Sequence, residues 1–204
     1  MSDAAAATRW AKATRIAEGI TDYGVGKALR TYFLLYLPVG VILLTGLGFL
    51  AAVMSFGNIR EEWPMYLAMG LMLSSVGTLV GGFVYASRKV SPQVRPQRSG
   101  ALIWLDKPEQ KDIRRQIYGR TPPVPEHLAV ARGAAVQFRQ GLALQLLIAP
   151  GYMLMVMAQA LNTPDSVLGI LWIPLCGLFP ILLTLEARQF RQAGRFLERT
   201  AASV

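Results

Sequence analysis

Four stretches of this chain run without a charged side chain, and polar segments punctuated by proline and glycine separate them. They cover residues 31–59, 63–87, 140–164 and 166–185. Each reaches the roughly 20 residues that an α-helix needs to cross a ~30 Å hydrocarbon core at 1.5 Å per residue. The pattern predicts four transmembrane helices arranged as two hairpins. It predicts an all-α membrane protein.

The segments between the runs have helical signals of their own. In "ATRWAKATRIAEGITDYG", Trp10, Ala13, Ile16, Ala17, Ile20 and Tyr23 share one side of a helical wheel. Thr14, Arg15, Glu18 and Asp22 take the other, so an N-terminal amphipathic helix is expected, capped by Ser2 or Asp3 and stopped at Gly24. Two placements fit this wheel equally. It lies on the cytoplasmic leaflet, or it packs on the bundle's own cytoplasmic end.

The central segment divides at its prolines. "SPQVRPQRSG" reads as extended linker, because Pro92 and Pro96 disfavour helix at the residues before them. "ALIWL" is too short to span and fits a strand or an apolar plug. Asp106 and Glu109 have capping-box spacing, and Gly119 closes a helix of about three turns. Pro125 suits the first turn of a helix continuing into the third run. The first and third runs each place glycine shortly after proline, "LPVG" and "APG", with Arg30 and Arg139 ahead of them. The second and fourth share no such pattern, so the case for an internal duplication is weak.

Charge orients the hairpins. Residues 1–30 carry five basic and three acidic side chains, residues 87–139 eleven and four, and residues 186–204 four and two. The two remaining connections hold Arg60, Glu61, Glu62 and Asp165. The positive-inside rule therefore places both termini and the central loop in the cytoplasm. With no apolar core ahead of residue 31, the first 30 residues do not read as a cleavable signal. Only 16% of the residues are charged, against about a quarter in soluble domains. Arginine outnumbers lysine sixteen to five and alanine is abundant. GC-rich codons produce that bias, which points to a high-GC bacterium and its inner membrane.

Candidate chemistry is sparse. No Asp, Glu, Lys, Arg or His falls inside the four runs, which disfavours a proton-coupled carrier, since such a pathway needs an ionisable group in the membrane. His127 is the sole histidine and Cys176, inside the fourth run, the sole cysteine. A zinc site cannot be assembled from them, and His127 reads as a solvated helix-start residue. In "MLMVM" only Met153 and Met157 share a helix face, so core or lipid-facing methionine is the better reading than a copper site. No phosphate loop or nucleophile triad is present. No cofactor is expected.

Two features remain. Gly70, Ser74, Thr78 and Gly82 recur at four-residue intervals, and Gly77 and Gly81 repeat the spacing. Small residues so spaced let helix backbones approach, so the ridge reads as a packing seam rather than a pore lining. Gln145 is then an interhelical hydrogen-bond donor. Beyond the fourth run, Arg188, Arg191, Arg195 and Arg199 fall within about an 80° arc of a continuing helix, opposite Phe190, Ala193 and Leu197. That stripe grips anionic lipid head groups or an acidic partner, or it is a topology anchor. Both readings fit.

The expected organisation is a cytoplasmic amphipathic helix (1–30), a first hairpin (31–87) and a basic cytoplasmic loop with one short helix (88–133). A second hairpin (134–187) and a cytoplasmic C-terminal helix and tail (188–204) follow. The function expected is non-catalytic: an accessory, assembly or scaffold subunit of a larger membrane complex. Its partners would be anionic lipid and other membrane-protein subunits or further copies of itself, with no nucleic acid. An oligomeric channel or uniporter is the alternative, and a membrane enzyme acting on lipid ranks third.

Overall fold

A computed structural model describes residues 3–57, 59–95, 100–162 and 167–201. Among the described residues every element is helical apart from two short strands. In order come α1 (Asp3–Ala17), β1 (Thr21–Asp22), α2 (Val25–Thr31), α3 (Leu37–Phe56), α4 (Ile59–Tyr85), β2 (Val94–Arg95), α5 (Lys107–Ile117), α6 (Leu128–Asn162) and α7 (Val167–Ala201). A π-helical turn, Tyr32–Tyr36, joins α2 to α3 immediately before Pro38. The wider turn lets Leu37 donate to the Tyr32 carbonyl, and Pro38, which has no N–H to give, follows without breaking the helix.

Among the described residues, three helical segments are long and apolar enough to cross a membrane: Val25–Phe56, Glu62–Gln93 and Pro125–Asn162. The fourth charge-free run opens at Ser166, outside the described residues, as do the side chains of 167–171 and 173. In the most apolar stretch of the first segment only 11% of residues are buried. Leu34, Ile42, Leu43 and Met54 point outward from it. Apolar surface on that scale suits hydrocarbon far better than water.

The chain divides into two compact units. The first gathers residues 1–25, 89–143 and 187–204, and the second residues 26–88 and 144–186. Seventeen basic and eight acidic side chains fall in the first, which therefore carries the whole net charge of +9; the second holds four of each.

Within the first unit the core is built on alanines and a few large side chains. Ala13 and Ala17 of α1 meet Ala131, Ala134 and Ala135 of α6, with Leu102, Ile113, Ile117 and Phe196 around them. Gly133 makes the closest approach, since a Cβ there would lie 2.7 Å from that of Ala17. α1 stops at Ala17, earlier than the expected Gly24. The reason is Gly19, whose φ of +76° supplies the left-handed turn that ends a helix. Tyr23, expected on the apolar face, is exposed, because the chain has left the helix by that point. Gly24 instead sits between β1 and α2, where the Asp22 carboxylate accepts from the N–H groups of Gly24 and Val25 at 2.9 and 2.8 Å.

The expected linker is partly ordered as well. Ser91–Gln93 forms a 3₁₀ turn, and β2 pairs antiparallel with β1, Asp22 opposite Val94. Pro96 lies outside the described residues. "ALIW" forms a 3₁₀ turn with Ala101 and Leu102 buried, neither a strand nor a free plug. α5 begins with the capping box at Asp106 and Glu109, and Gly119, at φ +72°, follows its end. α6 and α7 each run unbroken for 35 residues.

Candidate functional site

In the second unit α4 is packed between α3 and α6, and the small residues explain how closely. A Cβ on Gly48 would lie 2.7 Å from the Gly70 Cα, and one on Gly70 would collide with the Thr45 carbonyl oxygen. Gly77 abuts a Leu44 methyl, a flexible tip that can yield. Gly82 faces the other way, where a Cβ would sit 2.8 Å from the Leu147 carbonyl oxygen on α6. Four-residue spacing advances about 40° per step, so a ridge that starts against α3 ends against α6.

The Ser74 and Ser75 hydroxyls of α4 are inward and satisfied. Ser74 and Thr45 share a hydrogen bond of 2.7 Å, and Ser74 Oγ also lies 3.1 Å from the Val41 carbonyl. Ser75 donates to the Gly151 carbonyl at 2.8 Å. Ser74, Ser75 and Thr78 are all buried. In an apolar surround such bonds avoid unpaired polar groups and fix helix register. Two of the expected seam residues stand apart. Apart from its own turn of helix, no described atom lies within 4 Å of where a Gly81 Cβ would be, so this position meets neither α3 nor α6. Gln145 is exposed and has no interhelical hydrogen bond among the described residues, because its position on α6 faces away from α4.

In the first unit α7 presents two faces. Phe190, Ala193 and Phe196 are buried and Leu197 half-buried, whereas Arg188, Arg191, Arg195 and Arg199 are exposed. None of the four has a carboxylate within ion-pair distance among the described residues. Arg199 instead donates from Nε to the Arg195 carbonyl at 3.2 Å, a bond that leaves its other guanidinium nitrogens free.

Behind this face is an arrangement that spacing alone did not reveal. Arg139 on α6 pairs with Asp22, while its guanidinium carbon lies 4.6 Å from the centre of the Phe190 ring on α7. A second aromatic contact ties α1 down. Trp10 stacks on His127 at 3.7 Å between ring centres and donates to the Glu109 carboxylate at 3.0 Å. Arg9 pairs with Asp106 at 2.7 Å beside it. His127 is thus half-buried against an indole, not the solvated residue expected. Trp10 on the apolar side of α1 and the capping carboxylates were visible separately; nothing in the sequence joined them.

Among the described residues no three His, Cys, Asp or Glu side chains converge on a common point. The arrangement offers close helix packing and an unpaired cationic face. No protein-family model matches the chain, and neither curated proteins nor solved structures give a match.

Proposed function

We propose that this protein is a non-catalytic, multi-pass subunit of the bacterial inner membrane that assists or scaffolds a larger membrane complex. In this reading α7 completes a fourth crossing, and both termini and the central loop lie in the cytoplasm. The observation that carries the reading is the exposed stripe of Arg188, Arg191, Arg195 and Arg199 without carboxylate partners. Anchoring topology requires only positive charge near a span; it does not require four guanidiniums aligned on one helix face. Their partners are anionic head groups, at about 1 kcal/mol per residue near the surface, and acidic surfaces of neighbouring subunits.

Two further observations support it. The N-terminal segment, the central loop and the C-terminal helix gather in one unit that holds the entire net charge, as segments sharing a cytoplasmic side would. α1 contributes Ala13 and Ala17 to that unit's core, which favours packing on the bundle over lying on the leaflet. The buried α4 hydroxyls, Ser74 bonded to Thr45 and Ser75 to the Gly151 carbonyl, favour a dry seam over a channel. Native electrophoresis of the chain extracted in mild detergent tests the subunit reading. A discrete species larger than the self-associated protein is expected. Migration only as monomer or homo-oligomer would contradict it.

A further inference from the structure

A cleft of ≈ 740 Å³ opens in the first unit, and its lining combines residues from four parts of the chain. The end of α5 supplies Gln116, the following turn Arg120 and Pro122, the start of α6 Leu128, and α7 Phe196 and Arg199. Its size falls within the range of small-molecule sites. The chemistry of the walls is uneven. Leu128, Phe196 and three prolines make one part apolar, and no carboxylate lines it.

Its cationic groups are Arg120 and Arg199, and Gln116 with the Thr121 and Thr200 hydroxyls completes the polar side-chain lining. Arg199 reaches the turn that carries Arg120, its Nη2 lying 3.7 Å from where a Gly119 Cβ would be. Neither arginine has an acidic partner among the described residues. Gln116 is only 5% exposed, and its side-chain oxygen accepts from the Val124 N–H at 3.2 Å. That bond fixes the amide orientation and leaves the NH₂ group without a partner among the described residues. A nearly buried amide donor and two guanidiniums around an apolar floor have one natural complement. It is an anion with an apolar body.

We propose that this cleft binds an anionic amphiphile, its phosphate or carboxylate head held by Arg120, Arg199 and the Gln116 amide and its apolar body against Leu128 and Phe196. The site shares only Arg199 with the docking face, so the two can fail separately. Charge-assisted hydrogen bonds give the head its grip, and exclusion of the tail from water supplies the rest.

The test uses the full chain in phosphatidylcholine nanodiscs, titrated with dihexanoyl phosphatidate below its micelle concentration. Dihexanoyl phosphatidylcholine and inorganic phosphate are the comparison ligands. The phosphatidate should bind more tightly than either. Arg120→Ala with Arg199→Ala should weaken it at least about tenfold, the equivalent of one charge-assisted hydrogen bond. Leu128→Trp, which fills the apolar side while keeping every donor, should weaken phosphatidate but not inorganic phosphate. Lys107→Ala with Lys111→Ala, exposed on α5 outside both the cleft and the α7 stripe, should leave binding unchanged. Long-chain phosphatidate in the nanodisc that competes with the probe assigns the ligand to the bilayer. Lack of competition assigns it to a soluble amphiphile, and both carry the proposal. Equal affinity for inorganic phosphate and phosphatidate, or indifference to Leu128→Trp and the Arg120/Arg199 pair, would overturn it.

Discussion

Arg139 and Asp22, 117 residues apart, form an ion pair that closes the first unit, with the Phe190 ring under the cation. Asp22 is occupied twice, because its other oxygen accepts from the Gly24 and Val25 N–H groups at the start of α2. The pair is largely shielded, with side-chain exposures of 17% and 9%. Arg139 Nε has no partner of its own among the described residues. Removing either partner therefore strands a charge that water reaches poorly.

Asp22→Ala should cost roughly 3 kcal/mol by leaving Arg139 uncompensated, plus about 1 kcal/mol for the lost cap. Asp22→Asn should cost less, since it retains an acceptor for Gly24 and Val25. Combining Asp22→Asn with Arg139→Met should recover part of the single-variant loss, which a double-mutant cycle in detergent unfolding would measure. Strict additivity would mean that the pair is not coupled.

The α4 seam makes a comparison between glycines on one helix. Gly70→Leu should destabilise by about 1–3 kcal/mol through overpacking against α3, and Gly82→Leu by a similar amount against α6. Gly77→Leu should cost less, because only the Leu44 side chain must move. Gly81→Ala should be neutral or stabilising by up to about 1 kcal/mol, as helix propensity alone favours alanine. Equal effects at Gly70 and Gly81 in thermal unfolding would remove the seam from the account.

Ser75→Ala breaks the bond to the Gly151 carbonyl, and Ser74→Ala breaks those to Thr45 and Val41. Each should lower stability by about 0.5–1.7 kcal/mol, the span found for interhelical hydrogen bonds in membranes. Neither should alter permeability, because purified protein in vesicles is expected to pass no ions. Selective flux abolished by Ser74→Leu would restore the channel reading.

How much of this could be read from residues alone depended on the range of the interaction. Local signals were legible: the charge-free runs, the Asp106 and Glu109 capping box, the Gly119 stop, and arginines opposite Phe190. Signals that need a partner far along the chain were not. Periodicity gave Gly77 and Gly81 the same spacing, but only the path of α3 decides that one meets Leu44 and the other nothing. Asp22 looked like a solvated helix residue until Gly19 ended α1 early. Gly19 and Gly24 are both glycines after helix-compatible sequence, and the left-handed turn could fall at either.

The proposed orientation rests on the charge distribution and can be read with one label on each side. In a Cys176→Ser background, Thr121→Cys in the central loop should react only from the cytoplasm. Asn162→Cys, at the end of α6, should react only from the opposite side. Reaction of either position from both sides would contradict a single orientation.

The central claim is that the α7 arginine face holds a partner, and one measurement addresses it most directly. Arg191→Glu with Arg195→Glu reverses the middle of the stripe without touching Phe190, Ala193 or Phe196, so folding and membrane insertion should persist, with Arg88, Lys89 and the central loop still setting topology. Quantitative co-purification from native membranes in mild detergent should then lose a defined protein or anionic-lipid component that the unaltered chain retains. Raising salt should release the same component from the unaltered chain, as the Debye length shrinks below about 8 Å. Full retention of every component by the reversed chain, with no response to salt, would reduce the arginine stripe to a topology anchor and contradict the docking account.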